Sequence, residues 1–389
     1  MRITCIHQGC ELYGSDRSFI ESVEAVRLAF PAAVVDVVLP GDGPIVPHLR
    51  PFASTVSFEP LWILRRADLP RLATLGLLRL PRALARAARR ISASDLVYIN
   101  TSVVVDYALA ARLFKGRVLT HVHEIPAGLT MKALRALLRL SRAELIFNSH
   151  ATRHAYAMPP AVRSHVIYNG IEGPARAEPV TYDGARPLRL LMLGRINRIK
   201  GQEILVEAAA GLPEALRARL EIRIVGSAFQ DDAREAALRA LIGARGLGKS
   251  VSLAPFTPDP SGHYRWADIV AVPSRLPESL GRVAIEAMAY GRPPLVSAIG
   301  GLREIVEDGV TGWQVPPGQA GPLGARLAEI IAHPEGWRGY GAAARARFED
   351  MFGKAPAAAA IAEVLHAALQ RRSRRGKQTG ETALIRDGA

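Results

Sequence analysis

Cysteine is scarce in this 389-residue sequence: only Cys5 and Cys10 are present, so no disulfide framework can exist. A reducing, cytoplasmic setting is therefore the expectation. No apolar run approaches the roughly 20 residues that a membrane-spanning helix needs. The opening residues, MRITCIHQGC, lack the apolar core and small-residue cleavage site of a secretory leader. Acidic residues are also in deficit, with 36 Asp and Glu against 50 Lys and Arg, a formal net charge of +14. What remains is ordinary for a soluble globular chain of about two domains, with 49% hydrophobic and 22% charged residues.

The excess positive charge calls for a polyanionic partner: nucleic acid, anionic lipid or phosphorylated substrate. It concentrates in two places. Leu61 to Arg90, LWILRRADLPRLATLGLLRLPRALARAARR, interleaves arginine with leucine over a long helical pattern. That pattern suits a membrane surface and equally a solvated helix face in an arginine-rich proteome. The other place is the segment 371–389, RRSRRGKQTGETALIRDGA, whose polar, glycine-containing composition predicts a basic disordered tail.

Strand and helix signals alternate along the rest of the chain. MRITCIH, AVVDVVLP, SDLVYIN, GRVLTHVHE, AELIFNS and HVIYNG read as strands, with a glycine-bearing loop, GCELYGSDRS, and the helix FIESVEAVRLAF after the first. Residues 172–187, EGPARAEPVTYDGARP, carry proline, glycine and no periodicity, which predicts a linker. The alternation then restarts with LRLLMLGRI, LEIRIVGS, VSLAPF, ADIVAVPS and PPLVSA as strands. The fold class is α/β: two doubly wound, Rossmann-like parallel-sheet domains, over 1–171 and 188–345. Ligands of such sheets bind beyond the carboxyl ends of the strands, so two domains facing a cleft would place a site there.

Two stretches carry candidate chemistry. In LMLGRINRIKG, Gly194 ends a strand and Arg195 and Lys200 lie in the loop before a helix, where fixed positive charge adds to unpaired amides and favours a diphosphate. An ordinary strand-to-helix turn with exposed basic residues explains the loop equally simply. In LPESLGRVAIEAMAYGRPPLVSAIGG, Glu278 and Glu286 stand eight residues apart, one before a helix and one within it. Glu286 falls among small apolar neighbours, where an ionised carboxylate needs a partner, for which a ribose diol would serve. Taken singly, Glu278 reads as a helix-capping acid and Glu286 as half of a salt bridge.

Together, GRINRIKG, PESLGRVAIEAMAYGRP, AIGGLREIVEDGVTGW and VPPG, in that order from about Leu188 to Gly318, resemble the donor-binding half of retaining glycosyltransferases of family 4, which have the GT-B fold. YGSDRS, HVHE, FNS and VIYNGIE in the first half match more loosely. The resemblance implies that Arg195 and Lys200 hold the donor diphosphate, Glu286 the nucleotide ribose and Glu278 the donor sugar. It implies amides from Gly281, Arg282 and Val283 toward phosphate and ribose, close approach of the Gly14 loop to the phosphates, and His123 in the sugar pocket. A helix over 346–370, in a region starting near Ala342, would cross back to the N-terminal, acceptor-binding domain. The implied activity is transfer of a sugar from a UDP- or GDP-linked donor to a lipid-linked or polysaccharide acceptor in cell-surface glycan assembly, such as lipopolysaccharide. In that family no metal or other cofactor is needed. Leu61 to Arg90 and the net charge add the expectation of peripheral attachment to an anionic membrane surface from the cytoplasm.

The sequence departs from the family at three points. YGSD replaces a glycine pair, which suggests an acceptor contact for Asp16. INRIK carries the extra Arg198, and Ser279-Leu280 replaces the commoner glycine-phenylalanine, leaving the donor sugar open. His121 and His123 share a strand face as a candidate metal pair, yet two histidines without a third ligand rarely suffice. A catalytic Cys–His pair using Cys5 or Cys10 competes poorly with a buried structural thiol. A sugar-nucleotide epimerase on the same fold would not need the Leu61–Arg90 surface. A nucleic-acid or other polyanion binder would explain the charge but not the paired glutamates, and no nucleic-acid motif is present.

Overall fold

The computed structural model describes residues 1–12, 14–64, 77–228 and 231–386. Tyr13, the middle of the Leu61–Arg90 segment and two residues after the LEIRIVGS strand fall outside that set. The chain forms two compact units, Met1–Gly170 with Lys354–Ala389, and Ile171–Gly353. Each follows from the same local logic. Short strands that are apolar on both faces bury themselves in a parallel sheet, and the intervening helices cover it.

The first unit holds seven strands: β1 (Arg2–Ile6), β2 (Val34–Leu39), β3 (Thr55–Phe58), β4 (Leu96–Ile99), β5 (Val118–Val122), β6 (Glu144–Phe147) and β7 (Ser164–Val166). Their order is β3-β2-β1-β4-β5-β6-β7, with every pair parallel. Cys5 pairs with Val37 on one side and Tyr98 on the other, so the thiol lies in the sheet's centre. Burial, with the nearby Asp36 charge, pushes it up to about 12, which makes it an inert core group.

The helix Gly14–Ala29 packs on this sheet through Phe19, Val23 and Val26. Against it lies the terminal helix Lys354–Arg386, through Ile361, Val364, Leu365 and Ala368. Lys354 Nζ meets Glu24 at 3.0 Å at the start of that contact. The terminal helix starts at Lys354 rather than 346 and continues beyond 370, where the sequence predicted a disordered tail. Arg371 and Arg372 are the reason: they pair with Glu144 at 2.6 Å and Asp95 at 2.9 Å and tie this turn to the sheet.

The second unit has six strands: β8 (Leu188–Leu193), β9 (Leu220–Val225), β10 (Val251–Ala254), β11 (Ile269–Val272), β12 (Pro294–Ser297) and β13 (Trp313–Val315). Their order is β10-β9-β8-β11-β12-β13, again all parallel. The segment 172–187, expected as a linker, is part of this unit. Tyr182 is buried and stacks on Trp337, and Arg186 grips the Asp268 carboxylate with two hydrogen bonds of 2.7 and 2.8 Å. Proline and glycine mark its irregular path without making it free.

In both sheets the strand order reverses direction beside the first strand, between β1 and β4 and between β8 and β11. Helices leave to opposite faces there and open a crevice beyond the carboxyl ends of the strands. Both candidate clusters lie at these two points.

Candidate active site

In the second unit, β8 ends at Leu193, and the next residue, Gly194, donates its amide to the Val225 carbonyl at 3.0 Å. Gly194 has φ +142°, a backbone conformation that favours glycine, and the aliphatic part of Lys200 would be in ordinary contact, 3.7 Å, with a β-carbon placed there. Between them Asn197 Oδ1 accepts the amides of Ile199 and Lys200 at 2.9 and 3.1 Å, and this turn aims the lysine. Arg195 and Arg198 are exposed on the same loop, and the Arg195 carbonyl is held by Gln202 at 3.0 Å.

Across the switch point, β11 runs into Pro273-Ser274 and the loop bearing Glu278. Lys200 Nζ lies 2.8 Å from Glu278 Oε2, and Ser274 donates to Oε1 of the same carboxylate. Glu278 is thus held by a cation and a hydroxyl rather than acting as a helix cap. The glycine pair that ends AIGG completes this loop. Gly301 donates its amide to the Glu278 carbonyl at 2.9 Å, and a β-carbon on Gly300 would come within 2.4 Å of that oxygen. Only glycine permits the approach.

The helix Arg282–Ala289 starts at Gly281, which caps it with φ +103°. A β-carbon at 281 would sit 2.4 Å from Leu302 Cδ2, so geometry and packing both exclude a side chain. Ala284, Ile285, Ala287 and Met288 face the core, whereas Arg282, Val283 and Glu286 stay half-buried along the other side. In the first turn Ala284 donates its amide to the Gly281 carbonyl at 3.0 Å, and the helix dipole adds positive potential at that end. Glu286 has protein partners: Tyr264 donates its phenol to Oε2 at 2.8 Å, and Arg282 lies 3.5 Å from Oε1. The salt-bridge reading of Glu286 is therefore correct as far as it goes.

In the first unit the switch point gathers a polar cluster. His7 Nε2 meets Asp16 Oδ1 at 2.9 Å, both buried, with His7 stacked on Phe19 at 4.7 Å. Gly14, expected in a loop, is the first residue of a helix, and Asp16 turns inward to His7. Thr101 bridges Gln8 and Glu124, and Ser102 donates to Glu124 at 3.0 Å. His123 is buried, with Nε2 on Asn100 Oδ1 at 2.9 Å.

His121 and His123 lie ring on ring, 4.0 Å between centroids. His121 Nδ1 is 2.5 Å from the Tyr98 hydroxyl, and burial lowers His121 to about 3, so it stays neutral. Among the described residues no group of three or more His, Cys, Asp or Glu is arranged to hold a metal ion.

The structure thus brings Gly194, Arg195, Lys200 and Glu278 to one switch point and Gly281, Arg282, Val283 and Glu286 to the adjoining helix. Gly14, Asp16 and His123 belong to the other unit. Sequence reasoning missed Ser274, Tyr264, Gln8, Asn100, Thr101 and Glu124. Most of these stand within two residues of a strand's carboxyl end, a position signal that was legible, but their pairing required the sheet order.

These features define a GT-B fold, and comparison with solved structures agrees. A protein of Anabaena, Alr3699/HepE in complex with UDP, superposes with a TM-score of 0.76 at 24% identity, covering 94% of this chain and 100% of that one. Sucrose-phosphate synthase of Thermosynechococcus elongatus gives a TM-score of 0.72 at 23% identity, covering 95% and 100%. Residues 184–347, within the second unit, match the model of the family described as Glycosyl transferases group 1. The D-inositol 3-phosphate glycosyltransferase of Thermobispora bispora is 37% identical over 189 residues, 47% of this chain and 44% of that relative. The chain therefore spans about half the length of the curated relatives it matches.

Proposed function

We propose that the protein is a retaining glycosyltransferase. It moves a sugar from a UDP- or GDP-linked donor to a lipid-linked or polysaccharide acceptor in cell-surface glycan synthesis. The observation that carries this reading is the switch point of the second unit, where Lys200, Glu278 and the capped helix of Glu286 converge. Breaking a glycosyl–diphosphate bond leaves negative charge on the departing nucleotide. Lys200 and Arg195, with the first-turn amides of the Arg282–Ala289 helix, are fixed positive groups suited to receive it. Glu278 accepts sugar hydroxyls and Glu286 the ribose, and the basic pair replaces a metal. His123, in the first unit, lines the sugar pocket. That the Anabaena structure contains UDP, and that the matched relatives are named as glycosyltransferases, supports the donor class.

The test is nucleotide release from a panel of UDP- and GDP-sugars in the presence of glycan and lipid-linked acceptors, with NMR of the product's anomeric configuration. Release that is abolished in Lys200→Ala, with retained configuration, supports the proposal. Release unaffected by that substitution, or inversion at the anomeric carbon, contradicts it.

We also propose peripheral attachment to anionic membrane. The helix Leu77–Ala93 buries Ala83, Ala87 and Ile91 and exposes Leu78, Arg79, Arg82 and Arg89, while Arg86 and Arg90 are drawn inward to Glu59. Among the described residues no helix is long and apolar enough to cross a membrane. Flotation with anionic vesicles that is lost at high salt supports attachment, and no flotation in low salt contradicts it.

A further inference from the structure

The second unit contains a buried group that the proposed chemistry does not use. Tyr264, on the short helix Ser261–Trp266, is 1% exposed, yet its hydroxyl reaches out of the core to Glu286 Oε2 at 2.8 Å. Its surroundings make it rigid. The ring stacks on Tyr290, with 5.0 Å between centroids and 14° between planes. Its backbone carbonyl accepts Arg292 Nε at 2.9 Å, and Arg292 is itself buried, with its other nitrogens on the carbonyls of Glu178 and Arg265. Burial, reinforced by the Glu286 carboxylate, holds the phenol far above its ordinary value, so it remains a proton donor throughout the working pH range.

A flexible glutamate on a helix surface samples several rotamers, and a ligand must then pay for ordering it. Here one carboxylate oxygen is fixed by a donor that cannot move, which also fixes the direction of the other. Oε1, which also faces Arg282 at 3.5 Å, is the oxygen that a ligand would meet. An ionised carboxylate only accepts hydrogen bonds, and the vicinal hydroxyls of a ribose are the paired donors of a nucleotide. We infer that Tyr264 is a positioning residue: by holding Glu286 Oε2 it aims the carboxylate at the ribose diol and makes the site selective for ribonucleotide over deoxyribonucleotide. This rests on the nucleotide-sugar reading above.

The experiment is calorimetric binding of UDP, GDP and their 2′-deoxy counterparts to the whole chain and to Tyr264→Phe, which keeps the ring and its stack. A hydrogen bond to an ionised, ordered acceptor predicts a wild-type preference for the ribonucleotide of about ten-fold or more. In Tyr264→Phe the preference should fall to within about three-fold, because an unanchored carboxylate follows whichever hydroxyl remains. Should that variant melt early, Glu286→Asp is the alternative. It keeps the charge on a half-buried surface but withdraws it from the phenol by one methylene, and the same loss of preference is expected.

An undiminished preference in either variant overturns the role of Tyr264 while leaving the donor site intact. A wild type that binds UDP or GDP without preferring ribose overturns the aiming of Glu286. A wild type that binds neither nucleotide overturns both this inference and the proposed function.

Discussion

Replacing Lys200 by alanine separates the two jobs that its position implies. In the structure Nζ is 2.8 Å from Glu278 Oε2, with the two side chains 23% and 12% exposed. At an effective dielectric of about 20 the gross attraction at that distance is about 6 kcal/mol. Desolvation offsets most of it, and truncating one partner of such a half-buried pair costs about 1–3 kcal/mol, since the other charge is left with less compensation. For a unit of this size that corresponds to a fall of about 2–4 °C in melting temperature per kcal/mol. If Lys200 also meets the donor diphosphate, a charge-assisted contact disappears as well, and affinity for a nucleoside diphosphate should fall roughly 10–100-fold. The assay is calorimetric titration with UDP and with uridine, alongside a melting curve. A lower melting temperature with a large loss for UDP and none for uridine is the expected pattern. Equal losses for UDP and uridine, or no loss for either, would show that the lysine only braces Glu278 and would refute the diphosphate assignment.

Two further outcomes follow from packing and burial. Gly281→Ala places a β-carbon 2.4 Å from Leu302 Cδ2 at a φ of +103°. Urea unfolding should show a loss of about 2–4 kcal/mol, combining backbone strain with overpacking, and a change under 1 kcal/mol would contradict the stated geometry. Asp106 is buried, and desolvation raises it from 3.8 to about 6, against the opposing pull of the Trp62 and Tyr107 amides and the Arg86 charge. Between those values the native state binds the proton more tightly than the unfolded chain, so this group's contribution declines as pH rises from about 4 to about 6. Asp106→Asn lacks that decline. Its stability relative to wild type should rise by about 2–3 kcal/mol across the interval, and a constant difference would show that Asp106 titrates near its ordinary value.

Eleven of the thirteen strands among the described residues stood out as apolar runs, because parallel strands covered on both faces concentrate Val, Ile and Leu. The two that did not, β3 and β13, are sheet edges with mixed sequence, TVSF and WQV. The helix start at Gly14 was hidden because glycine signals a loop. The helical continuation past 370 was hidden because arginine-rich composition gives no hint of the acids, Glu144 and Asp95, that receive it. In the site, GRINRIKG and the paired glutamates were legible through motif order. The Lys200–Glu278 contact spans 78 residues and the Tyr264–Glu286 contact 22. The first depends on β8 lying beside β11, and the second on the two helices that flank β11 meeting at one end. Leu61–Arg90 reads as arginine interleaved with leucine, whereas the residues that the described part of the helix buries are Ala83, Ala87 and Ile91.

The central claim is that the second unit binds a nucleoside diphosphate without a metal. Calorimetric titration of the whole chain with UDP, GDP and ADP, each with and without a chelator, tests it most directly. UDP or GDP should bind in preference to ADP, and the chelator should change nothing. Binding by none of the three, or binding abolished by the chelator, would contradict it.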